Sequence, residues 1–426
     1  MKRIFPLLLA VVLLAGCHVP SSKKDTLANT PANTPATTLT TTQQRRDAAE
    51  AKMREMMTVF WQIDKPMDYS YRVNSGNVAT DGSYVAHLEA GKIYSGLPYT
   101  HGCGDEISFA LFGETMENGV LRMTGLTGDL INGSGGMTKP NNIARIGNDC
   151  ADAVYAAWSV AAASVTFPNA ANMTPAFGCI PVGDYKTVAD DVTTYPITKE
   201  LCKENGESVM FEAYAQLQKA DGLSVNTKGG AHAMLVSEVH VVKDGTEIDP
   251  EASYVLVHEQ TSRYFDSGET RYEEALGQDV YVMGGVDRKY TFRKLFKAGY
   301  LPVTCKEFID EAPLPAEEVI DSWAGEEFDE NNLFAGAFTS NYRIVDVQVE
   351  LLDSNGEVLS RSVCCSGGGD RNTFLLSRFE AELEQAVLGG TLDWDALERG
   401  QEYTARFTCR LSTGLEVVSR EFTFPY

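Results

Sequence analysis

The stretch Ile146–Trp158, IGNDCADAVYAAW, decides how the rest of the chain is read. Asn148-Asp149 is a short polar pair of the kind that caps a helix, and the small and apolar residues behind Cys150 can form that helix. The positive end of a helix dipole lowers the pKa of a thiol placed there, so Cys150 is expected as a standing thiolate. This placement suits a nucleophile if a general base lies elsewhere in the chain. The competing reading is an inert buried thiol.

The chain has six histidines: His18, His87, His101, His232, His240 and His258. His232 opens the apolar run in GGAHAMLVSEVHVV, and His258 lies in the following run, SYVLVHEQTS, beside Glu259. A thiol before a helix, an imidazole at a strand start and a polar group late in the next strand follow the order that nucleophilic acyl transfer needs. The third group is Glu259 or, as the alternative, His258. Glu259 is favoured because a carboxylate accepts from an imidazolium without any arrangement of tautomers. His240 reads as a solvent-facing strand residue, and His101 with Cys103 as structural.

NDCADAVYAAW resembles the DCSG helix start of the NlpC-type papain-like cysteine hydrolases, and GGAHAMLV resembles their Gly-x-x-His strand. GLPYTHG (Gly96 to Gly102) is similar to their G-x-P-Y-x-x-G segment, and VHEQTS to the E-Q-N strand of the related CHAP amidases. The resemblance implies an α+β fold, a papain-like core with the nucleophile's helix packed on an antiparallel sheet. It also implies Cys150 as nucleophile, His232 as base, Glu259 as third member, and Tyr99 and Asp149 in the substrate pocket. No cofactor and no metal are implied, and the substrate is a peptide or amide bond, first of all in peptidoglycan. The chain departs from the pattern at Ala151 and Asp152, which replace Ser and Gly, and in an insertion from Cys103 to Gly147. Two other functions stay open: hydrolysis of another amide, such as a surface peptide or a bile-type conjugate, and a catalytically inactive surface-binding or adhesion protein.

Composition narrows the partners. A formal net charge of -23 argues against nucleic acid, since phosphate binding needs an excess of Lys and Arg. Lys2 and Arg3 precede the apolar run Ile4–Leu14, which is shorter than the roughly 20 residues of a membrane span and ends in LLAGC. That ending resembles a bacterial lipobox and implies lipidation of Cys17, hence a bacterial cell-envelope protein facing outside the cytoplasm. Residues 1–17 are then a signal peptide and 18–43 a Thr/Pro-rich stalk with too few apolar residues to bury a core. A helix is expected at the start of the folded part, with Ala49, Met53, Met56, Met57 and Phe60 on its buried face.

The hydrolase domain is expected over residues 44–310. Lys306 to Asn332 carries ten Asp and Glu against one Lys, so residues 311–332 read as an acidic linker. Residues 333–426 alternate at Val345, Val347, Val349 and Leu351 before Asn355-Gly356, and again from Tyr403 to Leu411. They are expected to form a small β-sandwich, similar to immunoglobulin-like accessory modules, with one helix around Phe379 to Val387. Of nine cysteines, an odd number remain once Cys17 and Cys150 are set aside, so they cannot all pair within the chain. Cys364 or Cys365 with Cys409 is the link considered in the last domain. No CxxC pair of zinc-ligand spacing occurs. A monomer is expected.

Overall fold

A computed structural model describes residues 39–70, 73–74, 77–78, 85–99, 115–123, 147–323, 332–365, 372–379 and 392–426. The expected signal peptide with Cys17, the expected stalk up to residue 38, His101, Cys103 and most of the expected 103–147 insertion lie outside the described residues. The fold is mixed α+β with predominantly antiparallel sheets.

The folded part opens with the helix Thr42–Thr58. Thr41 and Gln44 close it with a capping box, each side chain accepting from the other's backbone N–H. Ala49, Met53, Met56 and Met57 are fully buried on one face, while Phe60 falls in the next strand, Phe60–Ile63. Arg45 and Arg46 in the first turns are also buried. The Arg45 guanidinium donates to the carbonyls of Glu307 (3.0 Å), Asp310 (2.7 Å) and Ala312 (2.7 Å). Arg46 donates to the Phe308 and Lys219 carbonyls and to Asp221 Oδ1 at 2.7 Å. The helix is thus clasped to the far end of the same unit.

A six-stranded antiparallel sheet carries the site. Its order is Gly285–Thr291, Tyr254–Glu259, Gly230–His240, Gly222–Thr227, Leu301–Cys305 and Cys179–Pro181. Strand alternation divides the core. Ala233 and Leu235 pack with the helix Cys150–Ser159, whereas Met234 and Val236 pack beneath Glu207–Ala215 and Phe292–Ala298. All ten residues of the Cys150 helix are buried, and its alanines let it lie close against both the Thr42–Thr58 helix and the sheet.

The expected acidic linker contains a core element. Val319–Trp323 is a strand paired with Gly336–Ser340, which pairs in turn with Thr373–Leu375. The Trp323 ring lies 5.5–5.8 Å from those of Phe338, Phe407 and Phe422. The Trp323 ring, packed against three phenylalanines, outweighs the acidic composition of the segment, and Asp321 in the same strand is paired with Arg420 at 3.1 Å. A four-stranded sheet, Val358–Cys365, Ile344–Leu352, Glu402–Leu411 and Glu416–Pro425, shares this core through Val347, Val349, Phe407 and Phe424. The Asn355-Gly356 turn joins two paired strands, with Gly356 at φ +82. Of the helix expected from Phe379, the described residues include only its start, where Leu376–Phe379 is a 3-10 turn.

The cysteine link considered in this unit is excluded by register. Cys364 and Cys409 both sit opposite Val347, one on each flanking strand, and Cys365 follows Cys364 on the same flank. Two strand spacings separate the flanking strands by about 9.6 Å, beyond the ~6.8 Å that a disulfide spans. Cys179 and Cys305, by contrast, stand directly opposite each other on neighbouring strands. The two units meet where Ser412 Oγ donates to the Ser159 carbonyl (2.6 Å) and the Arg343 guanidinium lies 5.7 Å over the Tyr155 ring.

Candidate active site

Asp149 is the N-cap of the Cys150 helix: its Oδ1 accepts from the N–H groups of Ala151 (2.8 Å) and Asp152 (2.9 Å). Cys150 is therefore the first helical residue, at 6% exposure. The approach to it is fixed by a glycine. Gly147 has φ +109, and a Cβ there would lie 1.8 Å from the Pro98 carbonyl oxygen. This close approach brings the GLPY segment alongside, with a parallel bridge between Tyr99 and Asn148. Tyr99 is 9% exposed and so lies at the entrance of the Cys150 helix.

Gln260 locks the same corner. Fully buried, it donates through Nε2 to the Leu97 carbonyl (2.6 Å) and reaches Asn148 Oδ1 at 3.4 Å. It follows Glu259 directly in the chain, so one strand end serves two elements of the site.

His232, near the start of its strand, has Nε2 3.1 Å from Glu259 Oε2. Glu259 is 1% exposed and also accepts from the hydroxyl of Tyr290 and from the Arg263 guanidinium. Burial opposes its ionisation, but His232, Arg263 and Tyr290 together outweigh burial and hold its carboxyl below the usual range. An ionised Glu259 can only accept, so His232 Nε2 carries the hydrogen, and in the neutral ring that leaves Nδ1 with the lone pair. Nδ1 has no hydrogen-bond partner among the described residues.

His258 faces the other side of the sheet, as alternation along a strand requires. Its Nε2 contacts Glu50 Oε1 at 2.8 Å, and its Nδ1 accepts from the Asp287 N–H at 3.3 Å. It is fully buried among Glu50, Asp287 and Arg54 and makes no contact with His232. Glu259, and not His258, is the group that meets the imidazole.

The thiol is not held as a standing thiolate. Burial, together with the carboxylates of Asp149 and Asp152, pushes Cys150 well up, against the pull of the Ala233 and Ala151 N–H groups. The cap that builds the helix start is also the charge that opposes ionisation. The Ala233 N–H lies against the sulfur, which sets Cys150 beside the strand residue that follows His232. Tyr290, Arg263 and Gln260 had no motif to announce them except the Gln of HEQ.

Two cavities among the described residues lie away from this corner. One of about 370 Å³ is lined by Leu39, Val160, Leu314, Tyr342 and Leu415 at the seam between the units. The other, about 380 Å³, lies beside Glu50, Lys219 and Asp287. Among the described residues no cluster of three His, Cys, Asp or Glu could hold a metal ion. Compared with known proteins, the chain matches no family model and no curated relative.

Proposed function

We propose that the protein is a papain-like cysteine hydrolase that cleaves a peptide or amide bond through a thioacyl intermediate. The observation that carries this reading is the Glu259–His232 pair, which leaves Nδ1 as a base on the strand against which the Cys150 sulfur lies. Since the thiol starts neutral, proton transfer accompanies attack. His232 Nδ1 takes the Cys150 proton as the sulfur–carbon bond forms, and it returns that proton to the amine as the carbon–nitrogen bond breaks. Water then gives a proton to Nδ1 as its oxygen bonds to the acyl carbon; the sulfur–carbon bond breaks and the departing sulfur takes that proton from Nδ1, which releases the acid and restores the neutral thiol. Glu259 orients the ring and balances the imidazolium.

The LLAGC ending and the stalk composition favour a lipid anchor at Cys17 and a place on the outer side of a bacterial membrane. With the motif resemblance, this points to peptidoglycan as the substrate. In this reading residues 333–426, together with the Val319–Trp323 strand, form an immunoglobulin-like β-sandwich appended to the hydrolase. One observation favours a rival, an adhesion or binding module with an inert thiol: Cys150 is only 6% exposed.

The deciding experiment compares wild type with Cys150→Ala on purified sacculi, following the release of free amino groups. Wild type should release them and Cys150→Ala should fall to background, with stability lowered by only about 1 kcal/mol. His232→Ala should be as inactive, since residues that act as a unit lose most of the rate together. Release by Cys150→Ala at the wild-type rate would rule the nucleophile out. An inactive wild type whose Cys150 resists iodoacetamide would favour the binding module.

A further inference from the structure

An acyl-transfer site needs donors for the oxyanion as well as a nucleophile and a base. At the start of the Cys150 helix those donors are scarce. The N–H groups of Ala151 and Asp152 are both committed to Asp149 Oδ1. Only the Cys150 N–H remains there without a partner among the described residues.

Tyr300 stands beside the His232 ring. It is 7% exposed, its ring lies 6.5 Å from the His232 ring at 73°, and it meets the Tyr290 ring at 6.3 Å. Its hydroxyl has no hydrogen-bond partner among the described residues and is not one of their sealed, unpartnered polar atoms, so the oxygen keeps access to solvent although the ring is buried. The main chain around it is held from several sides. Its N–H donates to the Leu295 carbonyl (3.0 Å), and its carbonyl accepts from the Tyr214 hydroxyl (2.7 Å). The preceding Gly299, at φ +94, passes so close to Lys199 that a Cβ would lie 2.5 Å from the Lys199 Cα. A fixed backbone, a wedged ring and an unengaged donor make a preorganised group.

We propose that the Tyr300 hydroxyl is a catalytic group of this site, donating a hydrogen bond to the oxyanion that forms when Cys150 attacks a carbonyl, as a second donor beside the Cys150 N–H. The phenol keeps its proton for this task. Burial pushes it up, and the nearby Tyr290, Glu259 and Cys150 add to that, with only Arg263 opposing. The proposal rests on Cys150 being the nucleophile, and its test separates the two claims.

Two small probes react with the same sulfur by different routes. p-Nitrophenyl acetate acylates a thiol through a tetrahedral oxyanion: the sulfur–carbonyl bond forms, the thiol proton passes to His232, and p-nitrophenolate departs. Iodoacetamide alkylates the sulfur by direct displacement of iodide and forms no oxyanion. Tyr300→Phe keeps the ring and removes only the hydroxyl. It should slow acylation of the full-length protein by roughly 10²-fold, the usual effect of losing one oxyanion donor, and leave alkylation within about twofold. Unchanged acylation would overturn the proposal. So would an equal fall in both rates, which would make Tyr300 a packing residue for the thiol. A wild-type protein whose Cys150 takes neither probe would overturn the nucleophile itself. A Cys150→Ala protein acylated as fast as wild type would mean that another residue reacts.

Discussion

His258 and Glu259 are neighbours with unlike surroundings, and the difference has a measurable sign. His258 is buried neutral: burial lowers its pKa from the ordinary 6.5, with Arg54 assisting and Glu50 and Asp287 opposing. Its Nδ1 accepts from the Asp287 N–H, an interaction a protonated ring would lose. A base whose folded pKa lies below its unfolded value stabilises the fold above 6.5, and that stability falls as pH drops from 6.5 towards the lowered value. Urea midpoints measured from pH 7.5 down to 5.5 should therefore decline, and the decline should flatten in His258→Gln. An equal decline in both proteins would show that His258 does not titrate in this window. The lowered carboxylates Glu50, Glu259 and Asp287 act only at more acid pH. The sequence made Glu259 the better candidate by chemistry, and strand alternation gives the geometric reason for its contact with His232. Tyr300 was illegible because its position depends on a helix turn, Gly299 and Lys199 coming together from distant parts of the chain.

The element that carries Cys150 depends on what precedes it. Capping by Asp149 could be read from the sequence, because Asn-Asp before an alanine-rich run is a local signal. The contact of Gly147 with Pro98 could not, since nothing in IGND says which backbone it will meet. Gly147→Ala would force a left-handed φ on an alanine and drive its Cβ into a carbonyl. The expected loss is about 2 kcal/mol or more of stability, with slower alkylation of Cys150 as the Tyr99–Asn148 bridge opens. A melting temperature and alkylation rate equal to wild type would show that this corner yields freely. Arg45 and Arg46 were equally hidden, because two arginines in an opening helix read as surface residues until the carbonyls of residues 307–312 are seen around them.

Across the whole chain, charge misled the reading of one boundary. Ten acidic residues between Lys306 and Asn332 suggested a solvated linker, yet the Val319–Trp323 strand belongs to the second core. A fragment of residues 316–426 should fold, whereas 333–426 should not, since it lacks an edge strand and the tryptophan between Phe338, Phe407 and Phe422. Circular dichroism melts of the two fragments decide this, and a cooperative melt of the shorter one at the same temperature would refute the assignment. The clasp at the first helix has a mechanical consequence. A pull on the chain ahead of Leu39 is met by the Thr42–Glu311 hydrogen bond and the Arg45 fork on residues 307–312. The polypeptide enters the first unit beside the point where it leaves for the second. Tension between the N-terminal segment and the second unit then runs through this knot of side chains and spares the sheet between His232 and Glu259.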